Sequence, residues 1–255
     1  RVYNSIKLTD NKIGKLLKKL EQDNLLENTI IFFFADHGEG MPRGKTNGIN
    51  YGYRVPFIIK FPEKYKHLSP WGKAGTVTDE LINFEDLAPT IINLANGKTP
   101  SYLKGRTLIG KHRDKEKEYL ILSSDRADNG SDLTRTITDG RFVYSRNFMP
   151  FLPELRYINY LEIADITKQM RLDYKNNQLN TLQKSLFETR PIEVLYDIEN
   201  DLWETVNLVE NPVFKSTLKK MRKQMYKSLF KVKDVHFLPE YEIGLISKNE
   251  TPYEY

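Results

Sequence analysis

The chain has 255 residues, 39% of them hydrophobic, and a formal net charge of +5. That length holds one large domain or a domain and a half, and no apolar run approaches the ~20 residues needed to cross a bilayer. The absence of cysteine excludes a disulfide scaffold and any thiolate metal site. The mild, dispersed positive charge suits an anionic ligand and lacks the dense basic stripe of a nucleic-acid footprint.

Residues 1 to about 23 carry a helical period, with Ile6, Ile13, Leu17 and Leu20 on one face. No helix-start signal precedes it, so the first element reads as cut, with an upstream portion missing. After breaks at Gln22-Asp-Asn24 and Glu27-Asn28, the run Thr29 to Ala35 predicts a strand buried on both faces of a sheet. It ends in Asp36-His37-Gly38-Glu39-Gly40. The carboxyl end of such a strand is where ligands sit in open α/β sheets. Asp36 offers a carboxylate there and His37 an imidazole. The same two residues also suit a turn cap and an exposed loop side chain, and Glu39 suits a loop carboxylate.

Residues 36 to 56 contain five glycines, two prolines and no period. A loop of that length between two strands is more often functional than idle. Lys45 stands in it nine positions after Asp36. Arg54 opens the second strand, Phe57 to Phe61, and fits a buried ion pair holding the loop. A surface excursion and a short strand near Thr76-Val-Thr78 follow. A helix then starts around Asn83 to Asp86, tolerates Pro89 in its first turn, and ends at Asn96-Gly97.

The charged run Lys111 to Glu118 marks a boundary, giving domains 1–112 and 113–255. Beyond it Tyr119 to Ser123, Leu133 to Thr138 and Arg141 to Arg146 predict strands, the last two joined by a tight turn at Asp139-Gly140. An irregular aromatic stretch, a helical region to about 187 and a strand at Val194 to Asp197 come next. The last clear element is a helix from about Val213 to Val232, opened by Asn211-Pro212, with Leu218, Met221, Met225 and Leu229 on its apolar side. Asp125, Arg126 and Arg146 suit sugar contacts and structural salt bridges equally. His112 and His236 read as surface or packing residues. Asn129-Gly-Ser131 and Asn249-Glu-Thr251 fit the weak glycan-acceptor pattern.

The segment NTIIFFFADHGEGMPRGKTNGINYGYRVPFIIKFP resembles the second signature region of the sulfatases, in the alkaline-phosphatase superfamily. LTDNKIGKLLKKLEQDNLLENTI resembles the helix leading into it, and NFEDLAPTIINLANGKTPSYLKGRTLIG the helix and Gly-Arg-Thr-Leu loop closing the catalytic domain. TRTITDGRFVYSRNFMP and PIEVLYDIENDLWETVNLVENP are similar to the C-terminal subdomain, with Asp201-Leu202 where the family has Asp-Pro. The resemblance implies the C-terminal part of an alkaline-phosphatase-like mixed-sheet α/β domain, plus a small α+β subdomain with an antiparallel sheet and a packed helix.

It further implies a sulfuric ester hydrolase acting on sulfate esters or N-sulfates of a sulfated sugar. Asp36 and His37 would be metal ligands of a calcium ion, and Lys45 a catalytic and substrate-binding cation on the sulfate. The family's nucleophile is a formylglycine made from Cys or Ser in a Cys/Ser-x-Pro-x-Arg motif. No proline here has that context, and the family's first pair of metal-binding aspartates is also missing. The chain is therefore expected to be inactive alone and to partner the N-terminal half of a sulfatase. A periplasmic, secreted or lysosomal location would follow. Two alternatives remain: a phosphoesterase or phosphonate hydrolase of the same superfamily holding zinc or manganese, and a non-catalytic module binding sulfated glycans.

Overall fold

The computed structural model describes residues 2–38, 40 and 42–255; Glu39 lies outside the described residues. By packing, the chain forms two units, one of residues 1–35 with 56–116 and one of 36–55 with 117–255.

In the first unit, helix α1 (Val2–Gln22) follows the three- and four-residue spacing of its apolar side chains. Ile13, Leu17 and Leu20 are half-buried and Ile6 is exposed, so the predicted apolar face exists but no residue of the helix is fully covered. Strand β1 (Ile31–Phe34) leads into the Asp-His-Gly stretch. The loop after it, with the single-turn helix α2 (Asn50–Tyr53), belongs to the second unit, and strand β2 (Phe57–Lys60) is again in the first. β2 pairs antiparallel with β1, placing Phe34 opposite Phe57 with their rings 6.1 Å apart. The expectation of a strand buried on both faces is corrected here. Among the described residues β1 has one neighbour, and a two-stranded ribbon cannot cover its own faces. Phe33 and Phe34 consequently stay exposed.

Thr76 to Thr78 is not a strand either. The segment follows Gly72 and Gly75, both at positive φ, and Val77 is exposed with no strand to pair with among the described residues. Helix α3 (Leu87–Leu94) starts through a reciprocal cap between Asn83 and Asp86 and carries Pro89 in its first turn. Asn96, at φ +59°, takes the left-handed position that ends it. The buried Glu80 carboxylate accepts from Trp71 Nε1 at 2.6 Å and pairs with Arg106 at 2.6 Å and Arg113 at 2.8 Å. Burial alone would raise its pKa, yet the bonds from Trp71 and Arg106 hold it below the ordinary value.

The second unit is built on an antiparallel sheet of β3 (Leu120–Ser124), β4 (Thr134–Thr138), β5 (Phe142–Asn147) and β6 (Glu193–Asp197), in that spatial order. Gly140 at φ +96° and the Asp139 carboxylate, accepting from the Phe142 N–H at 2.8 Å, close the β4–β5 hairpin. Helices α4 (Asn159–Glu162), α5 (Asp165–Lys175) and α6 (Thr181–Ser185) fall between β5 and β6. Helix α7 (Lys215–Val232) lays Leu218, Met221, Met225 and Leu229 on Ile137, Tyr144 and Leu195, all of them buried. The spacing predicts this face residue for residue. Helix α8 (Glu240–Ile246) is the last α-helix. Because side chains alternate along a strand, the same sheet turns Thr134, Thr136 and Ser145 away from α7. That second face, buried but polar, positions the site.

Candidate functional site

The loop 36–55 is threaded onto this polar face. Ser124 and Arg156 both donate to the Thr46 carbonyl, at 2.8 and 2.9 Å, and the Thr136 and Ser145 hydroxyls both donate to the Gly48 carbonyl. Arg156 also donates to the Asn47 side-chain oxygen at 3.2 Å. Burial lowers the pKa of this guanidinium, opposed only in part by the buried Asp132 carboxylate 3.7 Å away. These bonds hold Thr46 at φ +76°, a left-handed conformation that a β-branched residue adopts only when its surroundings over-determine it.

Lys45, immediately before that strained residue, is half-buried, with its ammonium 4.9 Å from the centroid of the Tyr160 ring. A cation over an aromatic face is held by the ring quadrupole, about 0.5–2 kcal/mol depending on solvation. Burial raises the Tyr160 phenol, so it stays neutral. At the start of the loop, His37 Nε2 lies 3.4 Å from Asp36 Oδ1, and His37 Nδ1 lies 2.9 Å from the Gly38 carbonyl oxygen. A carbonyl only accepts, so Nδ1 carries the proton. The Asp36 carboxylate also only accepts, so the 3.4 Å contact at Nε2 is an ion pair when the ring carries both protons.

The loop's two ends are brought together by backbone. The Gly38 N–H donates to the Gly52 carbonyl at 2.9 Å. A side chain at Gly38 would have its Cβ 2.3 Å from the Tyr51 carbonyl oxygen, so only glycine permits this approach. Glu204, fully buried, accepts from the N–H groups of Asn50 and Tyr51 at 3.0 and 2.8 Å. Arg43 in turn donates to the backbone carbonyls of Trp203 and Glu204 and lies 3.5 Å from Glu154. Burial raises the Glu204 carboxyl to about 7, against the pull of the two N–H groups, and burial likewise raises Glu154.

One sequence expectation is overturned, and the others take one of the forms the sequence allowed. Arg54 is exposed and not buried in an ion pair. Asp125 binds Arg135 at 2.8 Å and Arg126 binds Glu240 at 2.7 Å, while Arg146 is paired with Glu193, so these charges serve structural salt bridges. His112 is exposed, and His236 lies 3.8 Å from Asp234. The sequence reading passed over Glu204 and Arg156, because buried charges that bond to backbone follow no period. The trace available was Asp201-Leu-Trp-Glu204 after a strand, a turn in which Asp201 accepts from the Thr205 and Val206 N–H groups. A cavity of about 700 Å³ lies elsewhere, beside Arg146, Glu193 and Arg222.

Asp36 and His37 fit a divalent cation in part. A carboxylate oxygen and an imidazole nitrogen converge, Asp36 is largely exposed, and no further His, Asp or Glu joins them among the described residues.

The sequence and fold were compared with known proteins. A sequence model of the family described as Sulfatase matches residues 1–97. An ulvan-active sulfatase of Formosa agariphila is 35% identical over 244 residues, which is 95% of this chain and 40% of that protein. Human N-sulphoglucosamine sulphohydrolase is 26% identical over 242 residues, 88% of this chain and 46% of that protein. The solved structure of a 2-O GAG sulfatase superimposes with a TM-score of 0.64 at 20% identity, covering 90% of this chain and 42% of that one. Over that 90% of the chain the fold is thus the one this sulfatase structure has. The chain belongs to the sulfatase family and corresponds to the C-terminal portion of its members. It spans roughly two-fifths of the length of the curated relatives it matches, 40% and 46% for these two.

Proposed function

We propose that this chain is the C-terminal part of a sulfatase that hydrolyses sulfate esters or N-sulfates of a sulfated glycan. The observation that carries the reading is one loop presenting three groups: the Asp36–His37 donor pair at 3.4 Å and Lys45 held over Tyr160. The relatives' names support the substrate class, since they include an ulvan-active sulfatase and an N-sulphoglucosamine sulphohydrolase. Residues 1–112 would complete the catalytic α/β domain and 113–255 would form the C-terminal subdomain.

Asp36 and His37 would hold a divalent cation, calcium by family resemblance. Such a cation, when bound, withdraws charge from sulfate oxygens. Asp36 contributes negative charge that keeps the cation in place, and the Gly38 carbonyl keeps the imidazole turned with Nε2 toward Asp36. Lys45 places a fixed positive charge for a sulfate oxygen or the leaving group, and its contact with Tyr160 limits reorganisation. The nucleophile, a formylglycine, would come from sequence outside this chain, which has no cysteine. A secreted, periplasmic or lysosomal enzyme fits this chemistry, and no described helix is long and apolar enough to cross a membrane.

The nitrogen donor of His37 favours a second reading, a phosphoesterase or phosphonate hydrolase, because imidazole suits zinc or manganese better than calcium. Mass spectrometry under denaturing and then native conditions, with metal analysis, tests both. A longer or second chain with formylglycine, bound calcium, and turnover abolished by Asp36→Ala and Lys45→Ala is the expected result. Bound zinc with phosphodiester or phosphonate turnover would replace it by the second reading. Glycan binding without turnover, with the upstream sequence supplied, would leave a binding module.

A further inference from the structure

Glu204 stands 154 positions from the helical turn it bonds, yet it meets the loop on both sides of Lys45. On one side its backbone carbonyl and that of Trp203 take the Arg43 guanidinium. On the other its carboxylate takes the N–H groups of Asn50 and Tyr51, at 3.0 and 2.8 Å. Those amides open α2, whose N-cap residue Ile49 offers no side-chain acceptor, so the turn depends on an acceptor from elsewhere. Directly after Tyr51, the Gly52 carbonyl receives the Gly38 N–H, which fixes the residue following His37. Glu204 itself sits at φ +54°, left-handed for a residue with a full side chain. A fully buried carboxylate on a strained backbone, spending both oxygens on another segment's amides, is a costly arrangement for a residue with no task.

We propose that Glu204 is a positioning residue for the candidate site: it clamps the loop at Arg43 and at Asn50–Tyr51, and so sets how Lys45 and the Asp36–His37 pair are presented. It need not touch substrate or metal. The inference rests on the sulfatase reading only for what the loop does, not for the clamp itself. Removing one oxygen leaves a buried N–H without its charged acceptor, while the sheet that carries the loop keeps its own core of Ile137, Tyr144 and Leu195.

The test uses Glu204→Gln and Glu204→Asp in the full chain, read by residue-resolved amide hydrogen exchange. In Glu204→Gln, Asn50, Tyr51 and Gly38 should exchange about ten- to a hundredfold faster, the range set by losing a hydrogen bond to a charged acceptor. Ile137 and Val143 in the sheet should keep their protection. Glu204→Asp, which retains the charge but withdraws it by one methylene, should recover part of the protection and serves as the readout if the glutamine variant does not fold. In the complete enzyme, Glu204→Gln should lower kcat with KM nearly unchanged, and aspartate should restore part of it. Unchanged exchange at Asn50 and Tyr51 would overturn the proposal. So would a loss that merely parallels Ile137 and Val143, since that is general destabilisation. A wild-type protein without sulfatase activity would defeat the functional reading, and the exchange data would still decide the clamp.

Discussion

Half-buried Lys45 and fully buried Glu204 illustrate two ways in which a single charge is used. The lysine keeps its ammonium over the Tyr160 ring, 4.9 Å from the centroid, and among the described residues no ion pair to a carboxylate neutralises it. A preorganised charge of this kind typically accounts for about 10²–10³ in kcat. Lys45→Met in the complete enzyme should therefore lower kcat by a factor in that range, and Lys45→Arg should recover only part of it, because the longer planar cation does not reproduce a point charge. Steady-state kinetics on a sulfate ester decide this, and an unaltered kcat in Lys45→Met would leave the lysine a loop residue. Glu204 bears on stability. Its folded-state pKa of about 7 lies above the ordinary glutamate value of 4.5. Its carboxyl thus holds its proton more tightly in the folded chain, and the linked stability is fully present below 4.5 and lost as pH rises through about 7. The full swing is roughly 3 kcal/mol at about 1.4 kcal/mol per pKa unit. Glu80, Glu193, Asp197 and Asp234 have lowered pKa values, so their contribution has the opposite sign and is lost as pH falls below the ordinary carboxylate range. Denaturant titrations between pH 5 and 8 should show wild-type stability declining more steeply with pH than that of Glu204→Gln, and parallel curves would refute the assignment.

At the scale of elements, what was legible followed from local periodicity. The face of α7 was readable because Leu218, Met221, Met225 and Leu229 recur at three- and four-residue spacing, and the hairpin because Asp139-Gly140 suits one turn geometry. Met221→Ala should cost about 2–5 kcal/mol by leaving a cavity under a fully buried side chain. Leu16→Ala, on the exposed flank of α1, should change stability by no more than about 0.5 kcal/mol. Equal effects in urea unfolding would mean that α7 does not carry this core. The Asp36–His37–Lys45 loop was legible as a signature, but its support was not. Thr136 and Ser145 read as ordinary strand residues, and only the folded sheet shows their hydroxyls converging on the Gly48 carbonyl. The exposure of β1 was equally hidden, since a run of Ile and Phe does not say how many strands will flank it. Gly38→Ala tests the loop's internal contact. Its new methyl would meet the Tyr51 carbonyl at 2.3 Å, so the α2 turn must move, and amide exchange at Asn50 to Gly52 should rise.

For the whole molecule, the decisive fact is that the candidate site is divided by chemistry. Asp36 and His37 give two donors, whereas a calcium ion takes six to eight oxygen ligands. Lys45 gives positive charge, but the chain has no cysteine and no proline in the family's Cys/Ser-x-Pro-x-Arg context. On the proposed reading, the chain's own groups would bind and polarise a sulfate group, and the group that attacks sulfur would come from elsewhere. Supplying the missing chemistry should therefore produce activity in one step and not gradually. The 255-residue chain alone should release no sulfate from an ulvan or heparan-type oligosaccharide at any calcium concentration. The same sequence joined to an upstream segment that carries the formylglycine motif should turn over, and chelation should abolish that turnover while leaving Asn50 and Tyr51 protected, since the Glu204 clamp contains no metal ligand. Sulfate release by the isolated chain would mean that a nucleophile exists among its own side chains, and the division of the site between two segments would then be wrong.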